Sequence, residues 1–121
     1  MGRIERVNQQ LKREISGILQ RELGDPRLEF VSITYVRVSR DLRHARIYFS
    51  VFGGEERQAG AQRALDNASG LIRKYIGQRI RMRYTPQLSF FYDESIEFSS
   101  KIDATLKEIQ NGLQEDYTDI E

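Results

Sequence analysis

The chain has 121 residues, 39% of them hydrophobic, and no cysteine, so we expect one domain and exclude a disulfide framework and a thiolate metal site. Its net charge of +1 hides an asymmetry, since the first 90 residues carry 17 basic and 9 acidic side chains whereas residues 91–121 carry 2 and 9. No apolar run approaches the roughly 18 residues of a membrane span, and no apolar stretch follows the charged N-terminus, so we expect a cytoplasmic protein without a membrane segment.

The first predicted element is an amphipathic helix over residues 3–23. Arg6 and Arg13 fall together on its polar face, and Gly24 and Pro26 are the residues expected to end it. The apolar positions that recur at helical spacing are Ile4, Val7, Leu11, Ile15, Ile18 and Leu19.

Two strands are predicted next, joined by a turn over residues 39–44. The first spans residues 30–39, and its apolar alternation changes parity on either side of Thr34 and Tyr35. A change of parity moves the buried side chains to the other face, so we predict a β-bulge there. In the second strand Ala45, Ile47, Phe49 and Val51 should point inward, and Arg46, Tyr48 and Ser50 outward.

Helical periodicity returns over residues 55–82, but it runs through Ala68, Ser69 and Gly70, which are small residues of poor helix propensity. A glycine–serine pair inside a helical pattern is typical of a kink. The pattern therefore predicts either two helices or one bent helix.

A third strand should follow Pro86, with Leu88, Phe90 and Tyr92 on one face. A last helix is predicted over residues 95–113. We divide the chain into one domain, residues 1–114, and an acidic, flexible tail, residues 115–121. The fold class is α+β, in the order α-β-β-α-(kink)-α-β plus a C-terminal helix, with a three-stranded sheet and helices on one face.

The residues favour binding over catalysis. His44 is the one histidine, and nucleotide-cradling glycine motifs are missing, so no enzyme activity, cofactor or His/Cys metal site is expected. Asp93, Glu94 and Glu97 are close enough in sequence to bind a divalent ion, although an acidic first helical turn explains them more simply.

Arginine outnumbers lysine 15 to 4, which favours phosphate recognition, although a solvated surface rich in ion pairs fits the charge equally well. The main predicted RNA-contacting surface is the helix after the kink, with Arg73, Lys74 and Arg81 on one face and Gly77 among them. Gly77 either admits a ligand backbone or is simply tolerated. The predicted flanking contacts are Arg6, Arg13, Arg40, Arg43, Arg46 and Arg83.

Aromatic side chains on the strands are candidates for stacking on bases. Cross-strand pairing within the sheet is the more frequent role of such residues. The candidates are Tyr35, Tyr48, Phe91 and Tyr92.

The element order resembles the type II KH fold, an RNA-binding architecture that carries a GxxG loop. No GxxG is present, and Ala68-Ser69-Gly70 stands in its place as an interhelical kink. With that substitution, short stretches over about residues 3–110 resemble the ribosome-binding factor A family. They include Asp25-Pro26-Arg27, Val38-Ser39-Arg40-Asp41-Leu42, Ala45-Arg46-Ile47-Tyr48, Leu71-Ile72-Arg73, Arg81-Met82-Arg83, Pro86-Gln87-Leu88-Ser89-Phe90 and Asp93-Glu94-Ser95-Ile96.

The resemblance implies a monomeric bacterial assembly factor that binds free small (30S) ribosomal subunits late in their maturation. It would act near the 5′-terminal helix of 16S rRNA and assist rRNA processing without being a nuclease. Two alternatives remain open: a general structured-RNA or ribosome-hibernation binding module, and an RNA-processing enzyme with carboxylate-bound metal.

Overall fold

A computed structural model describes residues 2–95, which form two helices and a three-stranded sheet. The predicted helix over 95–113, apart from its first residue, and the predicted tail over 115–121 lie outside the described residues. The element order is helix α1 (Arg3–Arg21), a 3₁₀ turn (Pro26–Leu28), strands β1 (Val31–Val38) and β2 (His44–Val51), helix α2 (Glu55–Arg79) and strand β3 (Gln87–Tyr92).

Helix α1 forms because its apolar residues make one continuous stripe, of which Leu11, Ile15 and Ile18 are fully buried. It ends at Arg21, two residues before the predicted end. Gly24 then turns the chain with a φ of +63°, a conformation that glycine adopts without strain. The chain thereby reaches the 3₁₀ turn and enters β1.

Strands β1 and β2 form the predicted antiparallel hairpin. Their register shifts between Ile33 and Tyr35, which confirms the predicted bulge. Beyond it the inward side chains of β1 are Val36 and Val38, both buried. The predicted inward residues of β2, namely Ala45, Ile47, Phe49 and Val51, are buried as well.

Strand β3 pairs in parallel with β2, so the sheet is mixed and its order is β1-β2-β3. A parallel neighbour requires a crossover, and α2 supplies it. The buried faces of both helices share one core with the inward side chains of the sheet, around Phe49, Leu65 and Ile72. The predicted α+β class, with helices on one sheet face, is confirmed. The finer KH-like assignment stays a prediction.

The break into two helices is not observed, because α2 runs without interruption through Ala68, Ser69 and Gly70. The Ser69 hydroxyl donates to the Asp66 carbonyl oxygen at 3.0 Å, inside the helix. Residues buried before and after this stretch, including Leu65 and Ile72, anchor the helix to the sheet. Their packing outweighs the weak local propensity, so the prediction of two separate helices is wrong and one helix is observed.

The predicted end of this helix at residue 82 is also wrong. Helix α2 ends at Arg79, and Ile80 has an extended backbone with φ −119° and ψ 127°. The Ile80 side chain is buried, and burying it turns the chain away from the helix axis. Arg81 and Arg83 therefore lie in the α2–β3 link (residues 80–86) and not on a helix.

Candidate nucleic-acid interface

A cavity of about 470 Å³, here called the arginine cleft, lies where the start of α1, the β1–β2 turn and the α2–β3 link meet. Three segments far apart in sequence thus place cations around one space, and Val7, Leu42, Ile80 and Met82 form its apolar wall. The cationic residues that line it are Arg3, Arg40, Arg43, Arg81 and Arg83.

The β1–β2 turn is held by Asp41, whose carboxylate accepts hydrogen bonds from the Ser39 hydroxyl at 2.6 Å and the Arg43 N–H at 3.0 Å. These two bonds, with smaller contributions from nearby positive charge, hold the pKa of Asp41 below its usual value. Leu42 adopts a φ of +62°, unusual for a residue with a side chain. This rigid turn presents Arg40 and Arg43 to the cleft.

The α2–β3 link is held against α2 by Arg73. The Arg73 guanidinium donates to the carbonyl oxygens of Pro86 and Thr85, both at 3.0 Å. Pro86 is buried, so these bonds satisfy backbone groups at the edge of the core. The next residue, Gln87, donates its N–H to the Arg43 carbonyl at 2.8 Å and thereby joins the link to the turn.

Gly77 allows the α2–β3 link to pack closely against α2. A Cβ atom at this position would lie 3.1 Å from the Thr85 hydroxyl oxygen, closer than almost all real contacts. The close approach inferred for Gly77 therefore involves the chain's own Thr85. A ligand is not needed to explain this glycine.

Tyr84 provides an aromatic surface at the cleft. Its ring is half exposed and lies 4.8 Å from the guanidinium carbon of Arg43 and 5.4 Å from that of Arg83. Such cation–π contacts hold both side chains near the ring. The cleft thus combines several cations with a partly exposed ring, which are the groups that bind phosphates and bases.

The cleft brings together four of the predicted RNA-contacting residues, Arg40, Arg43, Arg81 and Arg83. Sequence reasoning missed Arg3 and Tyr84. The signal for Arg3 was its position one turn before Arg6 and Val7 on the same helix, and the signal for Tyr84 was its place directly after Arg83.

The other predicted residues lie elsewhere. Arg6 and Arg13 are exposed on α1, and Lys74 is exposed on α2, but none of them lines the cleft. Arg73 is occupied by backbone carbonyls. Arg46 lies on the sheet, over the Phe91 ring at 4.8 Å.

The stacking candidates on the strands pair with one another across the sheet. The rings of Tyr35 and Tyr48 stack at 4.3 Å, and Phe91 lies 5.7 Å beyond Tyr48. Tyr48 points outward as predicted, yet it is only 4% exposed. Tyr92 packs edge-on against Phe49. Burial raises the pKa of the Tyr35 hydroxyl to about 12.

Of the carboxylates considered for metal binding, Asp93 forms contacts with its own chain. Asp93 is buried, and its carboxylate accepts hydrogen bonds from the N–H of Ser95 at 3.0 Å and from its hydroxyl at 2.5 Å. Glu97 lies outside the described residues. Among residues 2–95 no group of three histidine, cysteine or acidic side chains is placed to hold a metal ion. No helix within this same range is long and apolar enough to span a membrane.

Comparison with known proteins extends over most of the chain. The sequence model of the family described as ribosome-binding factor A matches residues 3–106. The chain is 43% identical over 114 residues to the ribosome-binding factor A of Halothermothrix orenii, an alignment that covers 94% of this chain and 93% of the relative. It is 49% identical over 109 residues to that of Acetivibrio thermocellus, covering 89% of each.

Solved structures agree. The crystal structure of ribosome-binding factor A from Thermus thermophilus matches with a TM-score of 0.67 and 35% identity, over 76% of this chain and 97% of the other. A solution NMR structure of a Thermotoga maritima protein assigned to the same family has a TM-score of 0.65 at 29% identity, over 72% and 83%. A homology model of the Thermus thermophilus factor, fitted into a cryo-EM map of its complex with the 30S subunit, has a TM-score of 0.61 at 36% identity, over 72% and 91%.

Proposed function

Because this chain belongs to the ribosome-binding factor A family, we propose that it binds the free small ribosomal subunit through 16S rRNA and assists the late maturation of that subunit. The fitted 30S complex of the Thermus thermophilus relative supports this partner. As the family resemblance implies, the contact would lie near the 5′-terminal helix of 16S rRNA. The protein would act there as a cytoplasmic monomer.

The observation that carries the proposal is the arginine cleft. Among residues 2–95, none of its five arginines forms an ion pair with a carboxylate, whereas Arg27 and Arg79 elsewhere in the protein do. Cations gathered on one side of a small domain create a positive potential that attracts a polyanion. Phosphates of rRNA are the polyanion that an assembly factor of the small subunit would meet.

The cleft would contact the RNA backbone and make few base-specific contacts. Arg40 and Arg81 are exposed and come from different segments, so together they suit phosphates that follow one another along a folded strand. Tyr84 offers a face or an edge to an unpaired base. These are binding groups, and the proposed role requires no bond to be made or broken by the protein.

Binding energy of this kind would act by population shift. A junction of rRNA that samples several conformations is held in the one that fits the cleft while other segments fold and are processed. The effect on maturation then equals the difference in affinity between the mature and immature conformations. Assistance to rRNA processing follows from holding the substrate and not from cleaving it.

The test is binding to free small subunits and to complete ribosomes, measured as a function of salt. We expect tighter binding to free subunits. The slope of log K against log salt is negative, and its magnitude should fall by about one for each of Arg40→Gln, Arg81→Gln and Arg83→Gln. Arg21→Gln, an exposed arginine at the end of α1 outside the cleft, is the matched control and should leave the slope unchanged.

Three outcomes would count against the proposal. An unchanged slope in a variant that combines Arg40→Gln, Arg81→Gln and Arg83→Gln would place the RNA elsewhere on the protein. Equal affinity for complete ribosomes would favour a ribosome-hibernation module, and cleavage of precursor rRNA by the purified protein with magnesium would show an enzyme.

A further inference from the structure

The lining of the arginine cleft includes apolar groups that phosphate binding does not require. Tyr84 is 50% exposed, and the side chains of Leu42 and Met82 beside it are only partly buried. A phosphate is bound by cations and N–H donors alone. The exposed ring and its apolar neighbours therefore indicate that a ligand of the cleft has a second, apolar component.

The backbone of Leu42 is an independent sign that this space is built for a ligand. Its φ of +62° is a left-handed conformation that glycine or asparagine adopts with less strain than leucine. The Leu42 N–H donates to the Ser39 carbonyl oxygen at 2.9 Å, so the turn holds the residue in this conformation. The side chain packs against the edge of the core and lines the cleft. Strained residues of this kind cluster at ligand sites.

Tyr84 and its two neighbouring arginines form a preformed surface for stacking. The guanidinium carbon of Arg43 lies 4.8 Å from the centre of the ring, and that of Arg83 lies 5.4 Å from it. Aromatic rings and guanidinium planes are both surfaces on which unpaired bases stack. Arg43 comes from the β1–β2 turn and Arg83 from the α2–β3 link, and the bond from Gln87 to the Arg43 carbonyl joins these two segments.

The size of the cleft limits how much RNA can enter it. Its volume of about 470 Å³ lies in the lower part of the range of roughly 300–1,000 Å³ that is typical of sites for small ligands. This leaves room for one nucleotide and not for a run of stacked bases. An intact RNA duplex presents phosphates and 2′-hydroxyls, with its bases stacked inside, so it could not use the ring.

Cations from three segments surround the apolar part of the cleft. Arg3 comes from the start of α1, Arg40 from the β1–β2 turn and Arg81 from the α2–β3 link. A nucleotide that leaves a helix keeps one phosphate before it and one after it. Arginines supplied by separate segments suit two such phosphates, because these point in different directions around the extruded base.

We propose that the arginine cleft binds a single extruded nucleotide of structured RNA, whose base packs on Tyr84 and against Leu42 while arginines contact the phosphates on either side. The inference rests on the proposed binding of rRNA and narrows its ligand to a bulged nucleotide. Because stacking accepts every base, the site selects an extruded conformation and not a sequence. Among residues 2–95 the lining of the cleft includes none of α2, so this site is separate from residues 68–70.

This ligand would explain how one site distinguishes two states of a subunit. A nucleotide that is extruded in the immature subunit and paired in the mature one offers its base to the cleft only in the first state. The protein would then bind the immature conformation more tightly, which is the difference in affinity that a population shift requires.

The test uses an RNA hairpin with one bulged adenosine in its stem and the same hairpin without the bulge. Fluorescence anisotropy measures the affinity of the full-length protein for each hairpin over a range of salt. We expect the bulged hairpin to bind about ten-fold more tightly, because stacking of one base contributes free energy of that order. The two salt slopes should differ by no more than about one, since the hairpins differ by one phosphate.

Three variants locate the preference for the bulge. Tyr84→Ala should reduce it to less than about two-fold without changing the salt slope, and Tyr84→Phe, which keeps the ring, should restore it. Leu42→Asn, which tolerates the left-handed turn but removes the apolar side chain, should lower it by about three-fold. Phe52→Ala removes an 81% exposed ring outside the cleft and is the matched control, which should leave the preference unchanged.

A spectroscopic measurement separates loss of stacking from loss of folding. With the fluorescent base aminopurine in place of the bulged adenosine, saturating protein should quench the fluorescence, and saturating Tyr84→Ala should not. Equal affinity of the original protein for the two hairpins would overturn the inference, and so would a preference retained in Tyr84→Ala. If Arg40→Gln still reduced the magnitude of the salt slope in that case, the proposed binding of rRNA would stand without the base site. An unchanged slope would remove both.

Discussion

Two cavities of similar size lie at opposite ends of the β1–β2 hairpin, and they differ in charge. The arginine cleft has a volume of about 470 Å³, and the second cavity, beside the start of β1, has about 520 Å³. Among residues 2–95, the lining of the second cavity has two glutamates beside three arginines, whereas that of the arginine cleft has one acidic residue, Asp41, beside five arginines. The charged lining residues of the second cavity are Arg27, Glu29, Glu56, Arg57 and Arg63.

Two of the three arginines that line the second cavity, Arg27 and Arg57, have partners within it or beside it. Arg27 forms an ion pair with Asp25 at 2.8 Å, and that bond holds the pKa of Asp25 below its usual value. Arg57 lies 5.0 Å over the Phe30 ring. Cavity volume therefore does not distinguish the two ends of the hairpin. The larger excess of cations in the arginine cleft supports the phosphate-binding role proposed for that end, since a long-range field depends on net charge.

The largest expected effect tests directly whether the two cavities differ in their contribution to subunit binding. Arg40→Glu combined with Arg81→Glu should weaken binding to free small subunits about a hundred-fold at fixed salt, because each reversal removes a phosphate contact and adds repulsion. Arg57→Glu combined with Arg63→Glu makes the same change in total charge at the second cavity. This control should lower the affinity for free small subunits by less than about three-fold. Equal losses of affinity in the two double variants would mean that only the total charge of the protein matters.

The next effect concerns the support of the cleft. Arg73→Met should lower the free energy of unfolding by about 2 kcal/mol, because the carbonyls of Thr85 and Pro86 lose charged donors. Lys74→Met, its exposed neighbour on α2, should change that free energy by less than about 0.5 kcal/mol. Urea denaturation measures both. If Arg73→Met left stability unchanged but flattened the salt dependence of RNA binding, Arg73 would instead be the RNA contact that the sequence indicated.

A smaller effect distinguishes two glycines of α2, Gly60 at the second cavity and Gly77 beside Thr85 of the α2–β3 link. Gly60→Ala at the second cavity should stabilise the protein by about 1 kcal/mol, since its Cβ would meet Arg27 Cδ at an ordinary 3.8 Å. Gly77→Ala should stabilise the protein less, because the Thr85 side chain must move to make room for the added Cβ atom. Thermal unfolding of the two variants measures the difference. A larger gain for Gly77→Ala would show that the link does not press on the helix.

The smallest effect is electrostatic and separates the two anchoring carboxylates. Asp25 and Asp41 both have a pKa below the usual 3.8, so their contribution to stability is complete above that pH and is lost as the pH falls through the lowered values. Ser39→Ala should raise the pKa of Asp41 alone, and Arg27→Gln that of Asp25 alone. NMR titration of the carboxyl carbons measures both. A coupled change would mean that the two ends of the hairpin are not independent.

The sequence by itself determined the local elements, because the spacing of apolar residues along the chain reflects the local backbone geometry of a helix or a strand. The apolar stripe of α1 and the change of parity around Thr34 were sufficient to place a helix, a hairpin and its bulge. Helix ends were less predictable. The end of α2 depends on burying Ile80 and on the bonds from Arg73, which join residues 12 and 13 positions apart.

Only the tertiary structure decided which cations act together. On a helical wheel Arg73, Lys74 and Arg81 share a face, yet Arg73 supports the link and Arg81 lies beyond the helix. The parallel pairing of β3 with β2 brings the α2–β3 link beside the β1–β2 turn. Packing of α1 on β1 then adds Arg3, about 80 residues from Arg83 in the chain. The clustering of these cations depends on how helices and strands cross and pack. The spacing of residues within any one element does not predict it.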